Sequence, residues 1–270
     1  MVPPDKFAVE YQINPWMNGN IDTVDKVKAA QQWLATRDAL IQAGADVIVL
    51  PSPPVGCPDA VFAANAGLIF KDMYINSKFK HEERQGEEDY FEEYFDAHDY
   101  DMLEFPDPNR TLSFEGAGDA LFSADRKHLW FGYGWRSSGD YKFKLDEMFE
   151  NTDVIVRPLK LVDPRWYHLD TAFCPLDTGE LLWYPPAFDA HSQMVIESWY
   201  EGKDIKVSEE DALRFACNAV SVGKNIVIPH CSDDLFFNLM DRGYGVLTVD
   251  MSQFLRSGGA CKCLTLEVVE

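Results

Sequence analysis

Cysteine, histidine and carboxylate side chains together support nucleophilic substitution at carbon, and in this 270-residue chain they recur in phase. Asn65, Glu115, His168, Asn218 and Cys263 follow one another at intervals of 50, 53, 50 and 45 residues; Asp119 lies just after Glu115, and Asp170 two residues after His168. Each has an ordinary explanation when taken alone. A histidine before a strand is usually a structural hydrogen-bonder, Glu115-Gly116-Ala117-Gly118-Asp119 can be a simple glycine turn, and most cytosolic cysteines are small core residues. The shared phase changes their weight, because equivalent positions of repeated units converge on a common axis. A thiolate is a competent nucleophile near neutral pH once its pKa is lowered. A histidine passes protons to a leaving ammonia and from an attacking water. Carboxylates make paired, planar hydrogen bonds to a guanidinium, and that cation in turn favours the thiolate. This chemistry needs no metal and no cofactor.

The positioning elements form a recurring unit of two strands joined by a tight turn, then a helix, then a third strand. The first copy has strands over 66–70 and 74–77, a helix over 87–98 carrying Tyr90, Phe91, Tyr94 and Phe95 on one face, and a strand over 101–105. The second has strands over 120–122, 128–132 and 154–156 and a helix over 138–149. Only a hairpin is read for the third, over 171–175 and 180–184. The fourth has strands over 218–222, 225–228 and 246–249 with a helix over 233–242. A fifth copy is split across the ends: a strand near 7–9, a helix over 23–43 and a strand over 47–50 combine with a last strand over 264–268. Pairing them closes a ring without exposed sheet edges. The expected fold is therefore an α/β five-bladed propeller of ββαβ units around a central active site, in one domain spanning 1–270.

Composition narrows the partners. The 45 acidic residues against 24 basic ones give a formal net charge of −21, which repels nucleic acid and anionic membrane surfaces and suits a cationic small molecule. Most of this excess is read as a solubilising surface. Residues 1–6 carry no apolar leader region, and there is no run of about 18 apolar residues to span a membrane. Cys57, Cys174, Cys217, Cys231, Cys261 and Cys263 are expected to be reduced and cytoplasmic. They contain no C-x2-C pair, so no zinc site is expected. The oligomeric state stays open, a homo-oligomer included.

Three stretches then carry a resemblance. Phe114-Glu115-Gly116-Ala117-Gly118-Asp119, Tyr167-His168-Leu169-Asp170 and Ser257-Gly258-Gly259-Ala260-Cys261-Lys262-Cys263-Leu264-Thr265 resemble the guanidino-group-modifying superfamily, whose fold is the five-bladed α/β propeller (pentein). Ile13-Asn14-Pro15-Trp16-Met17, Phe62-Ala63-Ala64-Asn65-Ala66-Gly67-Leu68, Glu83-Arg84-Gln85-Gly86-Glu87-Glu88 and Gly132-Tyr133-Gly134-Trp135-Arg136-Ser137 extend it over essentially the whole chain. Among its members, the chain is most similar to the catalytic domains of arginine dihydrolases. The resemblance implies Cys263 as nucleophile, with Cys261 the rival thiol, and His168 as general acid and base. Glu115 and Asp170 would hold the guanidinium, Arg84 and Arg136 the substrate carboxylate, and Asp59 the amine end, with Asn14 and Asn65 completing the pocket. Where deiminases typically carry an aspartate, this chain has Asn65. Its amide offers one acceptor and a donor instead of two acceptor oxygens. A looser grip on the half-hydrolysed group would then let a second hydrolysis follow. The expected reaction is arginine plus two waters giving ornithine, two ammonia and carbon dioxide. The alternatives are a deiminase or dimethylarginine dimethylaminohydrolase giving citrulline, an amidinotransferase, and a non-catalytic ribosome-binding propeller.

Overall fold

The computed structural model describes residues 1–103, 107 and 109–268. Helix α1 (Lys26–Ala43) is capped by Asp25, which accepts from the Lys28 amide, and stops at Gly44, whose left-handed backbone returns its N–H to Leu40 and Ile41. Four three-stranded sheets follow. The first contains β1 (Gly67–Phe70), β2 (Met73–Asn76), α2 (Glu82–Asp96) and β3 (Asp101–Met102). The second contains β4 (Ala120–Phe122), β5 (His128–Tyr133), α3 (Tyr141–Phe149) and β6 (Ile155–Lys160). The third contains β7 (Phe173–Pro175), β8 (Leu181–Trp183), α4 (Ala190–Tyr200) and β9 (Asp204–Lys206). After the short α5 (Glu209–Leu213) comes the fourth, with β10 (Val220–Val222), β11 (Asn225–Ile228), α6 (Asp233–Asp241) and β12 (Gly245–Thr248).

In each sheet the first two strands are antiparallel and the second and third are parallel. A parallel pair cannot be joined by a tight turn, so a helix carries the crossover. The four expected ββαβ units are thus present, and the structure adds α4 and β9 to the third. The last strand of the first unit ends at Met102; Glu104 and Phe105 of the expected strand lie outside the described residues.

The fifth unit differs from expectation. Of it, α1 forms, but 7–9, 47–50 and 264–268 are not strands of any sheet among the described residues. Local turns claim their backbone groups. The Phe7 amide bonds back to Pro4, the Leu264 amide to Ala260 and the Thr265 amide to Lys262. Met1 meets the 47–50 segment instead, its ammonium donating to Ile48 at 2.8 Å and its carbonyl accepting from Leu50 at 2.9 Å. The two ends still share a core, since Leu50 and Leu266 pack on the cluster that holds Ile69, Tyr74 and Phe91.

The core is rich in aromatics. Trp130, Trp166, Trp183, Phe173 and Phe188 are fully buried in one cluster under the second and third sheets. Full burial of one such side chain contributes about 1.5–3 kcal/mol. This anchorage fixes the segments just ahead of the first strands. Single 3-10 turns at Ala63–Ala66, Gly116–Gly118 and Leu169–Thr171 lead into or lie just before β1, β4 and β7, and they touch one another. Residues of β4, β7 and β10 line a cavity of about 360 Å³ with Lys262 in its wall.

The loop carrying Cys263 is fitted tightly. A Cβ on Gly259 would lie 2.4 Å from the Phe62 ring, itself buried among Phe7 and Phe254. Gly259→Ala is therefore expected to destabilise the protein by about 1–3 kcal/mol through overpacking. Thermal denaturation checks this: an unchanged midpoint contradicts the packing described, and Phe62→Leu in the same background should recover part of the loss.

Candidate active site

Hydrogen bonds, linked through the backbone at His168–Asp170 and at Ala64–Asn65, connect the five in-phase positions into a circuit. The Asn65 amide nitrogen donates to the Glu115 carbonyl at 3.3 Å. The Glu115 carboxylate meets His168 Nε2 at 2.7 Å. Asn218 donates to the carbonyl of Asp170 at 3.0 Å and to Cys263 Sγ at 3.1 Å. The carbonyl of Cys263 accepts from the Ala64 amide at 3.0 Å, which returns to the start. All of these side chains are 2% exposed or less.

On one side of the circuit sits the thiol. Cys263 Sγ donates to Asp170 Oδ2 at 3.3 Å. Asn218 Oδ1 accepts from the amides of Ala260 and Cys263, at 3.1 and 3.2 Å. Burial, followed by the charge of Asp170, pushes the thiol pKa well above its ordinary value of 9.0, so the unliganded thiol carries its proton. Burial also pushes Asp170 up, to about 7, against the hydrogen bond from Cys263 and the positive charge of Lys262. Asp170 Oδ1 is buried and has no hydrogen-bond partner. The rival Cys261 lies in the apolar cluster with Phe254 and Leu264.

Opposite is the acid–base pair. Burial raises the Glu115 pKa, but Arg136 Nη1 at 2.8 Å and the hydrogen bond to His168 outweigh it and hold the carboxyl well below the usual range. His168 is lowered to about 4, burial prevailing over the pull of Glu115. A neutral ring that donates from Nε2 to a carboxylate keeps its lone pair on Nδ1. Asp119 fixes the ring's backbone: Oδ1 accepts from the Leu169 amide at 3.0 Å and Oδ2 from the Ser137 hydroxyl at 2.7 Å.

The remaining expected residues are gathered here too, most of them already partnered. Arg84 donates from Nε and Nη2 to both oxygens of Glu87, at 2.9 and 2.7 Å, from Nη1 to Asn65 Oδ1 at 2.8 Å, and from Nη2 to the Asp59 carbonyl at 3.2 Å. Besides Glu115, Arg136 binds the Ile13 carbonyl at 3.2 Å and stacks 4.6 Å over the Tyr167 ring. Asn14 caps the turn Pro15–Met17 and donates to the Ser257 carbonyl at 2.9 Å. Asp59 accepts from Tyr11 at 2.9 Å and from the Ser257 hydroxyl at 3.1 Å. The small residues 257–260 let other parts of the protein approach their backbone closely. A Cβ on Gly258, at φ +81°, would lie within 3.1 Å of Tyr167, Trp16 and Asn14.

Sequence reasoning missed Glu87, whose signal is its i,i+3 spacing from Arg84 on α2. It also left Asn218 and Asp119 without roles, although both are in phase or beside a residue that is. Among the described residues no group of three or more His, Cys, Asp or Glu side chains is placed to hold a metal ion. All six cysteines are unpaired.

Two outcomes follow from this geometry. Alkylation of Cys263 by iodoacetamide in the ligand-free protein should be slow at neutral pH and still rising above pH 9.0, because the thiolate is the reactive form; a plateau below that pH contradicts the burial of the thiol. Asn218→Ala leaves two buried amides without an acceptor and should cost about 1–3 kcal/mol for each, read from denaturant unfolding.

Comparison with known proteins places the chain in a family. The chain is 45% identical over its full length to the bifunctional arginine dihydrolase/ornithine cyclodeaminase AgrE of Nostoc sp., of which it spans 37%. It is 35% identical to the N(G),N(G)-dimethylarginine dimethylaminohydrolase of Mycobacterium tuberculosis, covering 99% of this chain and 84% of that protein. The substrate-bound N-terminal domain of the cyanobacterial arginine dihydrolase ArgZ, with one cysteine replaced by serine, superposes with a TM-score of 0.94 at 44% identity, over 98% of this chain and 96% of that one. The family model "N,N dimethylarginine dimethylhydrolase, eukaryotic" matches residues 4–270, and the chain belongs to that family.

Proposed function

We propose that this chain is a single catalytic domain that hydrolyses the guanidinium group of L-arginine at Cys263, turning arginine and two waters into ornithine, two ammonia and carbon dioxide. One observation carries the reading: Asp170 has a buried oxygen without a donor beside the thiol. A buried carboxylate oxygen requires a hydrogen-bond donor, and one planar edge of a guanidinium supplies it. The 45% identity to an arginine dihydrolase supports the choice of substrate.

The roles follow from the contacts. Asp170 and Glu115 bind the guanidinium from the two sides of the circuit. The incoming cation offsets the charge that keeps the thiol protonated, and Cys263 then attacks the carbon. His168 relays the proton to the departing ammonia and takes one from the attacking water through Nδ1. Arg136 meets the substrate carboxylate, and Asp59 keeps lone pairs for its ammonium. Arg84, oriented by Glu87 and Asn65, joins Arg136 at the substrate carboxylate. The hydrogen-bonded circuit supports a closed ring of five units, with 1–50 and 264–268 as the fifth. The unpaired thiols support a reducing, cytoplasmic setting. No helix among the described residues is long and apolar enough to cross a membrane.

A second reading, hydrolysis of dimethylarginine to citrulline, is favoured by the family match and by the Mycobacterium tuberculosis relative. Incubation with each substrate separates the two. With arginine, about two ammonia per ornithine are expected, the ratio required when both hydrolyses pass through the thiol. Citrulline as the sole end product contradicts the dihydrolase. Cys263→Ala should lower turnover by about 10⁴-fold or more, and full activity in that variant contradicts Cys263 as the nucleophile.

Asp170 also sets a pH dependence. Its folded pKa is pushed up to about 7, and the cation binds the ionised form, so arginine binding is weak below this value and strengthens as the proton leaves. KM should fall roughly tenfold per unit up to about pH 7 and then level off. Asp170→Asn should remove that dependence; an unaltered profile in the variant assigns the titration to another group.

A further inference from the structure

The cavity of about 360 Å³ beside β4, β7 and β10 contains none of the five in-phase residues, although its lining includes Ala219, which follows Asn218, and Lys262, which precedes Cys263. Its volume lies in the range of small-ligand pockets, about 300–1,000 Å³. The inner wall is apolar: Leu121, Phe173, Leu176 and Ala219 are each 6% exposed or less. Four charged side chains complete it, Lys262 and Arg126 against Asp177 and Glu267. Asp177 and Glu267 are exposed, so the cavity opens to solvent beside them. Lys262 is 9% exposed. Its Nζ lies 3.8 Å from Glu267 Oε2, beyond hydrogen-bond distance, and donates no hydrogen bond among the described residues. An ammonium has three donors, and one withdrawn this far from water needs acceptors. Arg126 is already engaged, donating from Nη2 to Glu267 Oε1 at 2.5 Å with its guanidinium 5.3 Å from the Phe122 ring centre. That contact leaves Glu267 Oε2 unbonded. Asp177 is fixed by its amide, which donates to Ser221 Oγ at 3.0 Å, and by Oδ2, which accepts from the Gly223 amide at 2.7 Å; Oδ1 is left over.

An unbonded ammonium and unbonded carboxylate oxygens thus share one cavity. A simple anion answers only the ammonium, and it must enter a chain of net charge −21 past Asp177 and Glu267. A simple cation answers only the carboxylates and adds a like charge beside Lys262. A zwitterion answers both and carries no net charge. Among zwitterions the spacing selects an α-amino acid. Its ammonium and carboxylate are joined through one carbon, so their partners must be close neighbours, as Lys262 Nζ and Glu267 Oε2 are at 3.8 Å. Positive and negative groups then alternate around the four charges, each within reach of a charge-assisted hydrogen bond. The apolar inner wall selects the side chain. We propose that this cavity is a binding site for a free α-amino acid with an apolar side chain, whose carboxylate accepts from Lys262, whose ammonium donates to Glu267 and Asp177, and whose side chain packs on Leu121, Phe173 and Leu176. The site stands apart from the reaction proposed above.

Equilibrium dialysis of the whole chain against labelled L-leucine tests it, with each variant checked for a cooperative thermal transition. One saturable site per chain is expected. Isocaproate lacks the ammonium and leucinamide lacks the carboxylate; each should compete at least about tenfold more weakly than leucine, the loss of one hydrogen bond between charged groups. Lys262→Met exchanges the ammonium for an apolar group of similar length and should weaken leucine by the same factor. Glu267→Gln, at an exposed position, should weaken it too while arginine turnover stays unchanged. Asp59→Asn alters the carboxylate assigned to the amine end of arginine and should leave leucine binding intact. Leucine binding that survives both Lys262→Met and Glu267→Gln, or that is lost in Asp59→Asn, belongs to the active site and overturns the inference. Isocaproate competing as well as leucine overturns the amino acid in favour of a bare carboxylate. Absence of saturable binding up to about 10 mM leucine overturns the site altogether.

Discussion

The circuit of hydrogen bonds and short backbone links through Asn65, Glu115, His168, Asp170, Asn218 and Cys263 is the constraint on which the rest of the structure depends. Each member is buried, so each polar group needs a partner from the next segment, and leaving one unmade costs about 1–3 kcal/mol. Five stretches of chain far apart in sequence are thereby held at fixed distances. The sheets behind them are short, with first strands of three or four residues, and serve mainly to anchor these segments in an aromatic core. The circuit explains how so little regular sheet can position a site.

The same burial creates an imbalance of charge. Asp59, Glu87, Glu115, Asp119 and Asp170 are buried around the site, with Arg84 and Arg136 the buried guanidinium groups among them. Glu115 stays ionised because Arg136 and His168 serve it, whereas burial pushes Asp59, Asp119 and Asp170 up. A cation entering this space is worth more than it would be in water, because it relieves carboxylates that have no solvent. The thiol is kept protonated first by burial and then by the same neighbour, Asp170, that would receive the substrate. In the proposed reaction, reactivity is thus tied to occupancy, and the buried thiol stays protonated until a guanidinium arrives.

How much of this was legible in the sequence depended on periodicity. Cys263, His168, Glu115, Asn65 and Asn218 stood out because the repeat put them in phase, and the structure brings them together. The first, second and fourth units were readable from hairpins with polar turns, and in all four sheets the turn holds one left-handed residue: Lys71, Arg126, Gly179 or Gly223. The third helix α4 was hidden behind Pro185 and Pro186, although Asp189 marks its start by accepting from the Ser192 amide. Glu87 could not be singled out among the many carboxylates of α2, since pairing with Arg84 depends on which helix face turns inward. Asn14 was expected only to complete the pocket, and it also caps the turn that begins at Pro15. The fifth sheet failed because local turns around Pro4 and around Cys263 compete for backbone groups that strand pairing needs.

The most direct measurement of the central claim is the mass of the enzyme quenched in acid during arginine turnover, with the modified peptide then sequenced. Cys263 should carry a group with the mass of arginine less one ammonia. An unmodified Cys263 in an enzyme that is turning over, or the same adduct on Cys261, contradicts the account.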